Sequence, residues 1–449
     1  MTAETRLHAG DRAVVLGLGV TGLSLVRALV ARRIDVSALD DNPSDRATAL
    51  LAELGVEVIS APDEAQLREL FDDAAAFLPS PGIPESHVAF TLAERAGVPT
   101  LSEFDLARWW DDRPIAAVTG TDGKTSVTML TVAMLEASGV VTAAVGNTDV
   151  PLIDAIDDPS FDAFVVEASS FRLAHSERFE PSAAAWLNFS PDHLDVHASV
   201  DVYERAKAKI FENLPEDGLA VVPIDDAVVS RHAPTDRHTI RVGLDADGGA
   251  TAFVRDQRLL VEGVDIADVA ELERSFPHDI TNTLVAAALA MHLGATVAGI
   301  RTALATHRLP PHRIQFVGTH DGISFYNDSK ATVPHAVITA VRSFGSVVLI
   351  AGGRNKGLDL GPLRDVADRT RAVVAMGDAT EEIVKAFEGA VPVHRVSGMD
   401  EAVRVARSLA EVGDAVVLSP GCTSFDAYAN YGARGDDFIR AVRELVEVS

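Results

Sequence analysis

Lys124 and Thr125 follow a glycine in the stretch VTGTDGKTSV, residues 118–127, in the order of groups that holds a nucleotide phosphate. Glycines let backbone N–H groups turn toward an anion, a lysine ammonium reaches β- and γ-oxygens, and a hydroxyl can bind Mg²⁺. The usual pattern is Gly, four residues, Gly-Lys-Ser/Thr. Here only Thr121 and Asp122 separate Gly120 from Gly123, and the longer pattern would place its first glycine at Val118. The preceding PIAAVTG reads as a buried strand. Val127, Leu130 and Met134 then recur at helical spacing, with Gly139 placed to end the helix. A loop between a strand and a helix N-terminus adds the helix dipole to the cradle. Gly120, Thr121, Gly123, Lys124, Thr125 and Ser126 are therefore the expected ATP-binding residues.

Three further groups carry chemistry. DAFVVEASSF, residues 162–171, is a strand ending in Glu167, at the sheet edge where open α/β proteins bind ligands. Mg²⁺ keeps several waters, so one or two carboxylates suffice for it; a solvated strand-end acid is the plainer reading. NFSPDHLDVH, residues 188–197, packs two Asp and two His into a loop, and its proline argues against helix. His193 there is a ligand or hydrogen-bond donor, or simply a loop histidine. In the following helix, Asp201 with Glu204 resembles a capping box. Tyr203, Lys207, Ile210, Phe211 and Leu214 fall on one face, so Lys207 lies in an apolar stripe while Lys209 does not. Such a lysine snorkels, which is the default, or finds a carboxylate, or loses its charge. A neutral lysine amine also reacts with CO₂ to give a carbamate, a ready metal ligand.

The elements that must position these groups alternate short Val/Ala/Ile-rich runs with helical patterns, which is the sign of an α/β architecture. Three blocks emerge, 1–112, 113–310 and 311–449, with a seam at WWDDRP and a hinge at LPPHR, residues 309–313. In the first block Gly17, Gly19 and Gly22 form G-x-G-x-x-G between a strand and a helix, and Asp40 ends the next strand. NAD(P), another nucleotide diphosphate and a structural turn all remain open for that loop. The SPG turn, Ser80–Gly82, follows another strand and is free to approach the same ligand. In the last block NDSKAT, GGRNKGLD and SPGCTSFD follow strands, and between them they place glycines, Lys330, Arg354 and Lys356 at strand ends, which suits an anionic small molecule. Asp328 and Lys330 are close enough in sequence to serve one nucleotide or one acidic substrate.

Composition narrows the class. The 449 residues are 47% hydrophobic, enough for several domain cores. A formal net charge of −27 argues against nonspecific binding to nucleic acid or anionic membranes. The single cysteine, Cys422, excludes an internal disulfide and suits a reducing cytoplasm. The N-terminus lacks a signal-peptide core, and the apolar run Leu284–Ile300 is broken by His292 and Gly294, so a cytoplasmic protein is expected.

GTDGKT, EASSF, NFSPDHLDVH, YERAKAKIF, PHDITN, LPPHR, NDSKAT and SPGCTSFD occur in the order and spacing of the Mur ligases, ATP-dependent amide-forming enzymes of peptidoglycan precursor synthesis, and the chain resembles them over essentially its whole length. The N-terminal GLGVTGLS, the SPG turn and the SPGCTSFD tail resemble the branch that adds glutamate to UDP-N-acetylmuramoyl-L-alanine. The resemblance implies three domains: a Rossmann-like N-terminal domain, a central P-loop ATPase domain and a Rossmann-like C-terminal domain. It implies a monomer working on ATP and one or two Mg²⁺ ions, with Thr125, Glu167, His193 and a carbamylated Lys207 around the metal. Asn282, Arg313 and Asp328 would contact ATP, while Asn147, Ser169 and His193 would face the substrate's reacting end. Thr21, Asp40 and Gly82 would hold the UDP sugar, and Lys330, Thr332, Lys356, Ser424 and Phe425 the incoming glutamate. Lys124, His193 and Lys207 would carry the catalysis. The chain departs from the family pattern at Asp122 and Asp279, where Asn is usual, and at Val333 and Arg354. A negative charge at Asp122, beside phosphates, needs an offsetting cation. Readings that compete are a related ligase using L-glutamate or another acceptor, an NAD(P)-dependent oxidoreductase built on Gly17–Gly22, and a noncatalytic nucleotide-binding regulator.

Overall fold

The computed structural model describes residues 6–193, 196–308 and 311–447. Leu309 and Pro310 of the expected hinge lie outside the described residues, as do Leu194 and Asp195 of the histidine loop.

Strands of the described residues form three sheets of four, nine and six strands. The first contains Arg12–Leu16, Asp35–Asp40, Val58–Ser60 and Ala76–Pro79, all parallel, in spatial order 3-2-1-4 counted along the chain. That is the order of a Rossmann-like half, and helices on its faces explain the unbroken apolar runs of its central strands. Val58–Ser60 has only three residues, too short a run to show as a strand in the sequence.

The nine-stranded sheet has order 9-8-7-6-5-4-1-3-2. Its first strand, Ile115–Thr119, is buried throughout and runs between Ala163–Glu167 and Ala183–Trp186. All three are parallel, so their C-terminal ends open on the same edge. The phosphate loop leaves that edge flanked by Glu167 on one side and Asn188 on the other. The helix Lys124–Glu136 follows directly, with Gly123 as its N-cap. At the far edge Ala252–Arg255, Arg258–Val261 and Val264–Asp268 make an antiparallel meander that the apolar pattern did not announce. The expected buried run resolves into two helices, Pro277–His292 and Val297–Thr306, with Gly294 at positive φ between them.

The six-stranded sheet has order 1-2-6-3-4-5. Only its first strand, Gln315–His320, is antiparallel; Ile323–Asn327, Val347–Gly352, Thr370–Met376, Val393–Arg395 and Ala415–Gly421 are parallel. By contact density the chain separates into two compact units. Met1–Ser275 with Asp279–His307 holds the first two sheets, and Phe276–His278 with Arg308–Ser449 holds the third. Among the described residues no helix is long and apolar enough to cross a membrane.

The helix bearing Lys207 corrects one expectation. It spans Val200–Ala208 and is capped by Ser199, whose side chain accepts from Val202 N–H; Asp201 lies in its first turn. Glu204 binds Arg231 and His232 instead of closing a capping box. The physical reason is register: the helix begins two residues earlier, with Ser199 as N-cap, so Asp201 lies inside the first turn and cannot start a box.

Candidate active site

The phosphate loop is shaped by glycine where a side chain would not fit. Gly123 has φ +84°, and a Cβ there would meet Asn282 Oδ1 at 3.2 Å and Leu187 Cδ1 at 3.2 Å. Asn282, expected at the nucleotide, therefore does stand against the loop. Lys124 Nζ folds back and donates to Gly120 O at 2.8 Å and Thr121 O at 2.9 Å. Thr125 and Ser126 follow in the first helical turn, both half-buried.

Asn188 fastens this loop to the neighbouring strand end. Its Oδ1 accepts Asp122 N–H at 2.8 Å and Thr121 N–H at 3.0 Å, and its Nδ2 donates to Asp122 O at 3.1 Å. Thr121 Oγ1 donates to Ser190 O and accepts Ser190 N–H, and it lies 3.3 Å from Tyr203 Oη. Asn188 was missed as a functional residue. Amides carry no charge or nucleophile to attract notice, and only the adjacency of the two strands gives it its partners.

Lys207 does not snorkel. It is 1% exposed, its Nζ donates to Gly120 O at 2.7 Å, and it lies 4.7 Å from the centre of the Tyr203 ring. Two lysine side chains thus converge on one carbonyl oxygen. Burial lowers the Lys207 ammonium well below the ordinary lysine range, and repulsion from Lys124 adds to this, while Asp192 and Asp122 pull the other way. Asp122 is within electrostatic reach of Lys207, but a lysine that burial holds toward its neutral form does not offset the charge Asp122 adds. The departure at Asp279 is compensated: Arg274 grips Asp279 with Nε–Oδ2 at 2.6 Å and Nη2–Oδ1 at 2.7 Å, a bidentate pair that Asn would not match.

Glu167 is buried at 3% exposure. Asn147 Nδ2 donates to its Oε1 at 2.9 Å, but among the described residues its Oε2 has no hydrogen-bond partner, nor does the buried Ser169 hydroxyl. Orphaned buried oxygens at a sheet edge fit a ligand that supplies positive charge or donors. Among the described residues no three His, Cys, Asp or Glu side chains form a preformed metal cage. A buried carboxylate oxygen without a protein partner fits a hard cation that takes oxygen ligands and retains waters. His193 has φ +54° and sits edge-on to Phe171, with ring centroids 4.8 Å apart.

The first glycine loop is held by the groups expected to serve its ligand. Asp40 Oδ2 accepts Leu18 N–H at 2.6 Å, Ser80 Oγ donates to Gly17 O at 2.6 Å, and a Cβ on Gly22 would strike Gly17 O at 1.9 Å. Gly82 is exposed in the SPG turn. Thr21 is buried, and its hydroxyl accepts from Arg172 Nη2 at 3.0 Å. Arg172 is ion-paired with buried Glu103, and burial lowers its guanidinium to about 10. It comes from the helix after Glu167, so it joins the two glycine-loop regions; inside EASSFRL nothing about its spacing marked it.

In the second unit Asp328 is buried, accepting Ile314 N–H at 3.1 Å and Ser419 Oγ–H at 2.8 Å. Burial pushes its carboxyl up to about 7, with those bonds and the nearby Arg313 charge opposing. Lys330 Nζ lies 5.5 Å from the Tyr431 ring centre, and Thr332 is half-buried. Lys356 is exposed, Ser424 is buried with its carbonyl accepting from Ala427 and Tyr428, and Phe425 is 62% exposed. Arg354 pairs with Asp378 at the surface. Nothing in the structure explains Val333.

A phosphate loop at the C-terminal edge of a parallel sheet, beside a buried carboxylate and a buried lysine, defines a nucleotide-using enzyme of three α/β domains. Family models agree domain by domain: a Mur ligase MurD-like N-terminal domain matches residues 11–102, the Mur ligase middle domain 118–290, and the Mur ligase glutamate ligase domain 312–422. The chain belongs to the Mur ligase family, whose members are ATP-dependent, ADP-forming amide ligases. It is 39% identical to the UDP-N-acetylmuramoylalanine--D-glutamate ligase of Desulfosudis oleivorans over 97% of each chain. It is equally identical to the enzyme of that name from Frankia casuarinae, over 97% of this chain and 94% of the relative. Among solved structures, MurF ligase from Thermotoga maritima in complex with ADP shares the fold, with TM-score 0.58 and 15% identity over 99% of this chain and 96% of that one.

Proposed function

We propose that this protein uses ATP to join the amino group of D-glutamate to the terminal carboxyl of UDP-N-acetylmuramoyl-L-alanine, in the cytoplasm, as a monomer. The observation that carries this reading is the compressed loop Gly120–Thr125, with Lys124 and Lys207 converging on Gly120 O beside the orphaned Glu167 carboxylate. Whole-length identity to relatives named for that reaction supports it. D-glutamate is preferred to L-glutamate because those names carry it.

The acceptor carboxylate attacks the γ-phosphorus, the bond to the bridging oxygen breaks, and ADP leaves. The amino group of glutamate then attacks the acyl phosphate carbon, inorganic phosphate departs, and the amine proton passes to a base or to that phosphate. Lys124 swings from the loop carbonyls to the transferring phosphoryl group and stabilises its charge. Asn188 and Asn282 keep the loop amides in place. Thr125, Glu167, His193 and a carbamate on Lys207 would hold Mg²⁺, which supplies charge neutralisation at the phosphates. Burial that leaves Lys207 neutral favours its reaction with CO₂. Thr21, Asp40 and Gly82 serve the UDP sugar, Asn147, Ser169 and His193 its reacting end, and Arg313 and Asp328 the nucleotide. Lys330, Thr332, Lys356, Ser424 and Phe425 serve glutamate. Domain limits near 112 and 310 are proposed with these roles.

The test is turnover of purified protein with Mg²⁺, ATP, UDP-N-acetylmuramoyl-L-alanine and either glutamate enantiomer, following phosphate and peptide product together. ADP formation coupled to a D-glutamyl product is expected. Absence of product with both enantiomers overturns the reading.

A further inference from the structure

His197 is a buried imidazole that the reaction above does not use. It is 2% exposed, with Nδ1 3.1 Å from Glu85 Oε1 and Nε2 2.9 Å from Ser170 Oγ. A carboxylate only accepts, so Nδ1 donates to Glu85, and Nε2 shares the second hydrogen bond with the Ser170 hydroxyl. Acid, imidazole and serine stand in the order of a hydrolase triad, but Ser170 is itself 2% exposed, so no substrate reaches it as a nucleophile. The ring stacks on Phe171, centroids 5.4 Å apart at 13°, and Phe171 meets His193 on its other contact.

The two ends of this relay belong to different parts of the substrate path. Glu85 follows the SPG turn, whose Ser80 fastens the first glycine loop at Gly17. Ser170 adjoins Ser169 and stands three residues after Glu167, with their orphaned oxygens. We propose that His197 is a positioning residue: it locks the SPG turn to the Glu167–Phe171 segment, so that a nucleotide-sugar held at the glycine loop presents its carboxyl in register with Ser169 and Glu167. This rests on the proposed acceptor, and it assigns Glu85, His197 and Ser170 a role in acceptor binding and not in ATP binding.

The experiment compares the full-length wild type with Glu85→Ala, Glu85→Gln, His197→Ala and the Glu85→Ala/His197→Ala double variant, measuring kcat and KM for UDP-N-acetylmuramoyl-L-alanine and for ATP, and Tm. The expected result is an acceptor KM raised about tenfold in each alanine variant, equivalent to about 1.4 kcal/mol, with ATP KM within about twofold. The double variant should be no worse than the worse single, because both break one relay. Glu85→Gln should recover most of the loss, since an amide oxygen still accepts from Nδ1. Unchanged acceptor KM, equal shifts in both KM values, or losses that multiply in the double variant overturn the relay. If His197→Ala does not fold, Glu85→Ala alone decides, its side chain being 26% exposed. A wild type that turns over normally while the variants keep its KM refutes only the relay; a wild type inert toward this acceptor refutes the functional reading and the relay with it.

Discussion

Replacing Asn188 with alanine should loosen the phosphate loop without touching any reacting atom. The side chain makes three hydrogen bonds to the loop, to Asp122 N, Thr121 N and Asp122 O. Thr121 N–H also reaches the Asn188 carbonyl at 3.2 Å, and that bond survives the substitution. Two bonds are therefore lost outright. At about 0.5–1.5 kcal/mol each, the ordered loop loses about 1–3 kcal/mol relative to alternatives. One factor of ten is about 1.4 kcal/mol, so kcat/KM for ATP should fall roughly 30-fold, between about 5- and 150-fold, while KM for the acceptor stays within about twofold. Asn188→Asp keeps both acceptor positions but loses the donor and adds a charge beside Asp122, so it should impair ATP use at least as much as alanine does. Steady-state kinetics with each substrate varied at saturating levels of the other provide the assay. An Asn188→Ala enzyme within threefold of wild type in kcat/KM for ATP would refute the reasoning, as would an acceptor KM that rises in step with that for ATP.

Lys207→Ala should lower turnover by at least about 100-fold, the scale of a lost charge-stabilising group, with partial rescue by added short carboxylates; absence of rescue counts against the carbamate and leaves the lysine's position intact. Asp328 should make the second unit less stable as pH rises. Its folded pKa of about 7 lies above the ordinary 3.8, so the folded state holds the proton more tightly, and the cost of ionising it is absent below about pH 4 and complete above pH 7. Three units correspond to roughly 4 kcal/mol at 1.36 kcal/mol per unit. Asp328→Asn still accepts from Ile314 N–H and can donate to Ser419 Oγ, so denaturant unfolding between pH 4 and 8 should show a flatter profile than the wild type; parallel profiles would show that Asp328 is not the titrating group.

Much of the site was legible along the chain because its chemistry is local. Gly123, Lys124 and Thr125 are consecutive, and a strand before them with a helix after them fixes how their amides and side chains face. The apolar stripe through Tyr203, Ile210 and Phe211 marked Lys207 as out of place, and the α/β alternation marked the parallel strands of the first and third sheets apart from Val58–Ser60, while the antiparallel edge strand Gln315–His320 went unmarked. The meander at 252–268 escaped because it lacks a clear apolar alternation. What one-dimensional reading could not supply was adjacency across strands. The order that sets Ile115–Thr119 between Ala163–Glu167 and Ala183–Trp186 brings Glu167 to one side of the loop and Asn188 to the other. Packing then decided that Lys207 is sealed against Gly120 O instead of reaching solvent, that Arg172 reaches Thr21 across 151 residues of sequence, and that His197 reaches Glu85 across 112. Residue types and short spacings determined which groups can hold a phosphate; burial and strand order, which depend on the whole chain's packing, decided their charge, their partners and their aim.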